Sequence, residues 1–294
     1  MYKSVNQYLK EKFGCKVYKI ALSSGCTCPN RDGTIGVGGC IFCSNQGSGD
    51  FAQKDSLPIR EQIRLGKELV AAKNRNGKYI AYFQSFTNTY GTVEELGPKF
   101  REAISDEEVV VLSIATRPDC ISDEMLLLLS ELNKVKPVWI ELGLQSIHVQ
   151  TAAYIRRGYE LEVFDEAVKR LRSCGLEVIV HVILGLPGET KEDMLSTVRY
   201  VADSGANGIK LQLLHVLRGT DLAEDYAAGK FEVLSMEEYL DILRSALRLL
   251  PPQMVVHRLT GDGNKNELIA PLWSADKKRV LNEINKMVLS NDDE

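Results

Sequence analysis

The chain has 294 residues, 44% of them hydrophobic and 26% charged, which excludes disorder, collagen or a coiled coil as a description of the whole chain. The net charge of −4 argues against a protein that coats nucleic acid, although it is compatible with a local basic patch. No apolar run approaches the ~20 residues of a membrane span, and the N-terminus lacks a signal-peptide core, so we expect a cytoplasmic protein without membrane contact.

Six near-continuous apolar runs predict strands buried on both faces, as in a parallel sheet. They lie at residues 17–22, 79–83, 109–114, 138–142, 177–184 and 208–214. From the second run on, the starts are 29 to 39 residues apart, which is the length of a β-α-β unit. We therefore predict an α/β protein with a partial (β/α)6 barrel of the TIM type. A Rossmann-like sheet is the rival, but no Gly-x-Gly-x-x-Gly follows the first strand.

The segments between these predicted strands carry sequence patterns that are typical of helices. Thr92 and Ser235 each precede a Glu by three residues, which is the capping-box pattern, and Thr190 is a weaker start. Apolar faces at helical spacing lie at residues 126–129, 163–171, 194–201 and 240–250, and a last helix is predicted at 275–288. We expect a barrel over residues 1–255 and a C-terminal extension over 256–294 that packs on it.

Four of the seven cysteines lie within residues 26–43, directly after the first predicted strand. A disulfide is one interpretation, but it does not suit the cytoplasm. A structural zinc site would use Cys26 as its fourth ligand, although zinc pairs rarely have one intervening residue. An iron–sulfur cluster on Cys28, Cys40 and Cys43 would leave one iron open, and the glycine-rich loop between them can wrap a bulky group. The other three cysteines are interpreted as buried structural thiols.

The interval of eleven residues between Cys28 and Cys40, followed by two before Cys43, resembles the radical S-adenosylmethionine (SAM) enzymes. It is similar to the subgroup that includes the catalytic subunit of Elongator. Residues 28–34 and 38–40 look closer still to the bacterial YhcC/YtqA-type branch. Further matching segments are residues 82–90, 113–119, 141–146, 156–158, 185–189 and 257–262.

The resemblance implies a four-iron–four-sulfur ([4Fe-4S]) cluster on the three cysteines, with SAM chelating the open iron. Reductive cleavage of SAM would give a 5′-deoxyadenosyl radical that abstracts hydrogen from substrate, and the protein would position the cofactor and exclude side reactions. The electron would come from a donor such as flavodoxin or ferredoxin. In a parallel barrel this site would lie at the carboxyl ends of the strands.

The same resemblance implies contacts to SAM from residues just past the strands. Gln84 and Ser85 stand where relatives have glycines that receive the methionine amino group. Arg117 either binds the cofactor carboxylate or forms a salt bridge with Asp119, and His181 lies within a strand as either a core residue or a cofactor contact. The complete set of predicted contacts is Phe42, Gln84, Ser85, Thr116, Arg117, Gln145, Arg157 and His181.

For the substrate, the resemblance implies the C5 substituent of a tRNA wobble uridine, with carboxymethylaminomethyluridine converted to aminomethyluridine. A basic side chain would hold the carboxylate, and the candidates are Arg117, Arg157, Lys210 and Arg258. Of these, Lys210 and Arg258 are the candidate catalytic residues. Weaker candidates around the site are Asn88, Tyr90, Gln212, His215 and Asp262. The alternatives are radical chemistry on a small metabolite or tetrapyrrole, which the acidic charge favours, and a zinc-stabilised binding module without catalysis.

RNA binding would need basic side chains gathered near the barrel mouth. The available clusters are residues 156–157, 169–172, 244 with 248, and 277–279.

Overall fold

The computed structural model describes residues 2–44, 47, 52–74, 77–261 and 263–289. The strands of these ranges are, in chain order, β1 (Lys3–Ser4), β2 (Tyr18–Leu22), β3 (Tyr79–Phe83), β4 (Val109–Thr116), β5 (Val138–Gln145), β6 (Glu177–Leu184), β7 (Gly208–Leu213), β8 (Val216–Leu217), β9 (Val255–Arg258) and β10 (Leu268–Ala270). Eight of them form one parallel sheet, curled into a half-barrel, in the order β1-β9-β7-β6-β5-β4-β3-β2. Strands β8 and β10 form a separate antiparallel pair.

The helices return the chain from one strand to the next. They are α1 (Val5–Phe13), α2 (Ile59–Val70), α3 (Val93–Ser105), α4 (Asp123–Asn133), α5 (Val149–Tyr154), α6 (Leu161–Ser173), α7 (Lys191–Asp203), α8 (Asp221–Ala227), α9 (Met236–Leu249) and α10 (Lys277–Leu289). Thr92 and Ser235 form the predicted capping boxes. Thr190 forms a full capping box as well, because Asp193 takes the place of the usual Glu.

The two faces of the sheet bury different side chains, since successive residues of a strand point in opposite directions. Leu22, Phe83 and Ile140 belong to the main hydrophobic core, which also contains the apolar faces of the surrounding helices. A second core lies at the amino ends of the strands, where Leu9 of α1 packs with a set of strand residues that includes Trp139. Helix α1 therefore fills this end of the half-barrel, and the polar chemistry is left to the other end.

The partial barrel is confirmed, and each of the six predicted strands is present. Strands β4 and β5 run two and three residues further than predicted, to Thr116 and Gln145. Strands β1 and β9 were missed because they have only two and four residues. The expected boundary between residues 255 and 256 falls inside β9, which pairs with both β7 and β1 and so belongs to the barrel.

The last predicted helix is α10, which packs against α9. Within the described ranges, none of the helices combines the length and the hydropathy needed to cross a membrane.

Candidate active site

A cavity of about 240 Å³ lies at the carboxyl ends of the strands. Cys28, Cys40 and Cys43 all line it. Most of the predicted cofactor contacts share the cavity with them, namely Phe42, Gln84, Thr116, Arg117, Gln145, Arg157 and His181. Arg258, Gln212 and His215 line it as well. The sheet thus brings together residues that are up to 230 positions apart in the chain, from Cys28 to Arg258.

The cysteine loop, residues 28–44, is closed by backbone contacts and one arginine. The amide of Cys43 donates to Cys40 O over 2.9 Å, and the amide of Arg31 donates to Cys28 O over 2.8 Å. Arg31 Nη2 then donates to the carbonyl oxygens of Cys43 and Ser44, at 3.0 and 2.7 Å. Gly39 must be glycine here, because its φ is 85° and a Cβ would lie 2.8 Å from Arg31 Nε. Arg31 therefore ties the start of the loop to its end.

The donor set of this loop fits an iron–sulfur cluster. All seven cysteines lie in the described part of the chain and are free thiols, which leaves no disulfide there. Burial, with Cys43 nearby, raises the pKa of Cys40 to about 12, so its thiolate needs a cationic partner such as iron. Cys28, Cys40 and Cys43 would hold the cluster.

The structure gives no support to the zinc alternative. Cys26 does not line the cavity and packs instead against the main hydrophobic core. Among the described residues, no three Cys, His, Asp or Glu side chains are arranged to hold a single metal ion.

One wall of the cavity is built from two buried arginines and a tyrosine. Arg117 forms a two-pronged salt bridge with Asp119, at 2.9 and 2.7 Å, and its Nη1 donates to Arg157 O over 2.8 Å. Arg157 Nη1 donates to Ser146 O over 2.6 Å. The ring of Tyr159 lies 5.2 Å from the Arg117 guanidinium and 4.5 Å from that of Arg157. Arg117 thus forms the expected salt bridge with Asp119 and also lines the cavity, so its contact to the cofactor stays a prediction.

At the cavity wall, which Tyr82, Glu141 and His181 line, a carboxylate gathers donors from four other strands. Glu141 on β5 is fully buried and accepts hydrogen bonds from Lys19 Nζ at 2.9 Å, Ser113 Oγ at 2.8 Å and His181 Nε2 at 2.7 Å. Lys210 Nζ also donates to Glu141, and it lies 3.2 Å from the Tyr82 hydroxyl. We call these side chains the ionic layer: Lys19, Tyr82, Ser113, Glu141, His181 and Lys210.

Burial and neighbouring charges set the protonation of the ionic layer. Burial by itself would raise the pKa of Glu141, but Lys19 and Lys210 hold it well below its usual range. Burial, reinforced by Lys210, lowers the pKa of His181 to about 4. The imidazole is therefore neutral at pH 7 and donates its Nε2 proton to the carboxylate.

Two predicted residues are not at the cavity. Ser85 is buried beneath the turn at Phe86, whose φ is 58°, and it does not line the cavity. Lys210 is only 1% exposed and is engaged by Glu141, so it lies behind the cavity wall.

The weaker candidates have structural partners. Asn88 Nδ2 donates to Ala115 O over 3.0 Å, and the hydroxyls of Tyr90 and Thr34 are 2.9 Å apart. Asp262 lies outside the described residues.

Sequence reasoning missed the ionic layer as a unit, together with the closure of the cysteine loop by Arg31. The available signal was a charged residue inside an otherwise apolar strand, as with Lys19, Glu141 and Lys210. A buried charge of this kind is usually paired, so the pattern already indicated partners across the sheet.

Comparison with known proteins identifies the family. Residues 25–201 match the model described as the Radical SAM superfamily, and residues 206–289 match the Radical_SAM C-terminal domain. The chain is 46% identical over 285 residues to YtqA of Bacillus subtilis (strain 168), covering 97% of this chain and 88% of that protein.

Two further relatives carry more informative names. A tRNA uridine(34) acetyltransferase of Methanocaldococcus infernus is 28% identical over 156 residues, which cover 52% of this chain and 29% of that protein. The structure of Elp3 from the same archaeon, with an N-terminal deletion, superposes with a TM-score of 0.66 at 20% identity. It covers 86% of this chain, which spans 58% of the Elp3 chain, and the likeness shows the fold.

Proposed function

Because the chain belongs to the radical SAM superfamily, we propose that it modifies the C5 substituent of a tRNA wobble uridine, converting carboxymethylaminomethyluridine to aminomethyluridine. In this conversion SAM is the oxidant: the 5′-deoxyadenosyl radical takes a hydrogen from the carboxymethyl carbon, and the substrate radical becomes an imine by returning one electron to the cluster. Water then breaks the carbon–nitrogen bond, which releases glyoxylate and leaves the amine. Enzymes of this superfamily use a [4Fe-4S] cluster and SAM. When bound, the cluster supplies the electron that cleaves SAM to the 5′-deoxyadenosyl radical. A small electron-transfer protein such as flavodoxin or ferredoxin is the proposed donor.

The observation that carries the proposal is the likeness of this chain to two archaeal proteins. A Methanocaldococcus protein that matches in sequence is named for tRNA uridine 34, and the archaeal Elp3 shares the fold. This chain has the cysteine-lined cavity within that barrel. The acetyltransferase match covers 29% of that protein, so the support concerns the barrel and the substrate class.

The residues of the cavity suit a carboxylated substrate. Arg258 lines the cavity itself, with its Nη1 3.4 Å from Gln212 Oε1. In the proposal, Arg258 binds the carboxylate of the uridine substituent, since a guanidinium presents a pair of donors to such a group.

Two of the four basic clusters lie at or beside the cavity. In the first, Arg157 is buried in the cavity wall and Arg156 forms an ion pair with Asp221. The second is exposed. Residues 277–279 form the exposed first turn of α10, and Lys277 borders a small pocket together with Leu213 and Gly261. Leu213 and Gly261 also line the main cavity. The clusters on α6 and α9 lie toward the ends of those helices, which return the chain to the amino ends of the strands. The proposal therefore assigns tRNA phosphate contacts to residues 277–279.

The test is a nucleoside analysis of tRNA incubated with the anaerobically reconstituted protein, SAM and a reductant. The tRNA comes from cells that lack the protein, and the products are separated by mass spectrometry. We expect carboxymethylaminomethyluridine to fall and aminomethyluridine to rise, with one 5′-deoxyadenosine formed per conversion. The Cys28→Ala variant is the control and should give neither product.

One outcome of this experiment would contradict the proposed tRNA substrate. If SAM is cleaved but the wobble nucleosides stay unchanged, the tRNA proposal is wrong and a small-molecule substrate takes its place.

A further inference from the structure

Asn30 lies buried between the cysteine loop and the turn at residues 156–158. It is 4% exposed. Its Nδ2 atom is 2.6 Å from Arg156 O and 3.6 Å from Cys40 Sγ, and Arg157 O is 3.4 Å away. The distance to sulfur is within the range of an N–H···S hydrogen bond, because sulfur is larger than oxygen. One amide nitrogen thus reaches a backbone carbonyl and a predicted cluster ligand.

The geometry fixes which end of this amide faces Cys40. The nitrogen lies against carbonyl oxygens, which accept hydrogen bonds, so a reversed amide would place its oxygen against Arg156 O. An amide nitrogen carries two hydrogens. The 2.6 Å contact to Arg156 O uses one of them, and the other is shared between Cys40 Sγ at 3.6 Å and Arg157 O at 3.4 Å.

The surrounding backbone holds the side chain in this place. Arg156 has a φ of 56°, and Gly158 has a φ of 78°. A Cβ on residue 158 would lie 2.7 Å from Asn30 Oδ1, so the approach of the turn depends on that glycine. On the other side, the amide of Gly39 donates to Asn30 O over 2.8 Å. Asn30 thereby joins the cysteine loop to the turn at residues 156–158.

Cys40 itself depends on this donor once it is a ligand. As a thiol, its Sγ lies 3.6 Å from Arg156 O and has a proton to donate to it. A thiolate bound to iron has no such proton and becomes an acceptor. The side-chain N–H of Asn30 is then directed at a sulfur that carries negative charge in a buried site, where a hydrogen bond is electrostatically stronger than in water.

We propose that Asn30 donates an N–H···S hydrogen bond to Cys40 in the cluster-loaded protein and thereby raises the reduction potential of the cluster. Reduction adds an electron, part of whose charge resides on the ligand sulfurs. A donor aimed at one of those sulfurs stabilises the reduced form more than the oxidised form. Asn30 is therefore a positioning and tuning residue that acts through Cys40. The inference rests on ligation by Cys28, Cys40 and Cys43 and does not depend on the tRNA substrate.

The test is a redox titration of the reconstituted protein without SAM or tRNA, followed by electron paramagnetic resonance. Asn30→Asp replaces the donor with an acceptor of the same shape, and Asn30→Leu removes the donor without adding charge. We expect more negative midpoint potentials for both, with the larger shift for Asn30→Asp. Thr34→Val is the matched control, because Thr34 is exposed on the same loop and bonds to Tyr90, and its potential should equal that of the wild type.

A second measurement tests the proposal even if the variants bind little iron–sulfur cluster. In reduced wild-type protein labelled with ¹⁵N-asparagine, pulsed resonance should detect a ¹⁵N coupling to the cluster, and Asn30→Leu should lack it. Unchanged potentials in loaded variants, or no ¹⁵N coupling in the wild type, would overturn the proposal. The titration contains no tRNA, so its failure is distinct from that of the substrate proposal.

Discussion

The cysteine loop and the ionic layer hold their polar groups in different ways. The loop places its residues through short turns, glycines and the Arg31 side chain, all within seventeen residues of chain. The ionic layer draws its residues from six strands that only the sheet brings to one level. The loop is therefore specialised for binding a group, whereas the layer contributes to the stability of the barrel beneath it. Variants in the two regions should accordingly fail in different ways.

The largest expected effect is in the loop. Cys28→Ala should reduce reconstituted iron and 5′-deoxyadenosine formation to background, because two thiolates do not hold an open cluster. The unfolding transition of the metal-free protein should hardly move, since Cys28 is at the edge of the cavity. Iron content, anaerobic absorbance and urea unfolding check both statements.

Cys26→Ala is the matched control for this comparison. Cys26 packs against the main hydrophobic core and does not line the cavity, so this variant should keep its cluster. Loss of iron from Cys26→Ala would show that the three assigned ligands are wrong.

The next largest effect is in the layer. Glu141→Gln keeps the shape of the side chain but leaves Lys19 and Lys210 without their counter-charge. Removing one partner of a buried ion pair costs about 3–5 kcal/mol, and we expect that loss in the urea unfolding of the metal-free protein. Glu177→Gln is the control, because its pair with Lys12 is partly exposed and contributes only about 0–1 kcal/mol. Equal losses in the two variants would contradict the role of the layer.

This contrast explains which parts of the molecule were accessible to prediction. The six main strands were predictable because each is an apolar run buried on both faces. The cysteine cluster at the cavity was recognisable because its spacing is local in sequence, and ligation by Cys28, Cys40 and Cys43 stays a prediction. Strands β1 and β9 carry too few residues to show a pattern.

The ionic layer was not predictable as a site because it depends on strand register. His181 pairs with Gly143 on one side and with Lys210 on the other, and neither pairing is visible in the sequence of one strand. The same reason explains why Ser85, predicted as a cofactor contact, and Lys210, a candidate catalytic residue, do not line the cavity. Position after or within a strand does not tell which way a side chain faces until the register is known.

A smaller effect distinguishes the ionic layer from the cysteine loop: His181 in the layer should make the free energy of unfolding depend on pH. The pKa of His181 is lowered to about 4 in the folded protein, so between pH 6.5 and 4 the unfolded chain binds a proton that the folded protein does not. The free energy of unfolding should therefore fall as the pH falls through this range, by about 2 kcal/mol from pH 6.5 to 5 at ~1.4 kcal/mol per pH unit.

His181→Gln should remove this share of the pH dependence while it still offers an N–H to Glu141. Urea unfolding of the two metal-free proteins at pH 6.5, 5.7 and 5.0 measures the difference, and His257 is present in both. Parallel pH profiles would mean that His181 is not held neutral by its surroundings.

The smallest effect lies at the edge of the layer. Lys19 is on the terminal strand β2, and its side chain is 28% exposed, whereas Lys210 is 1% exposed. In Lys19→Met, Glu141 keeps the charge of Lys210 and the hydrogen bonds of Ser113 and His181. Part of the lost interaction was already screened by solvent, so we expect a loss of about 1 kcal/mol, near the upper end for exposed pairs. Lys210→Met, measured in the same urea series, should lose more. If Lys19→Met lost more unfolding free energy than Lys210→Met, Glu141 would depend more on Lys19 at the edge of the sheet than on the buried Lys210.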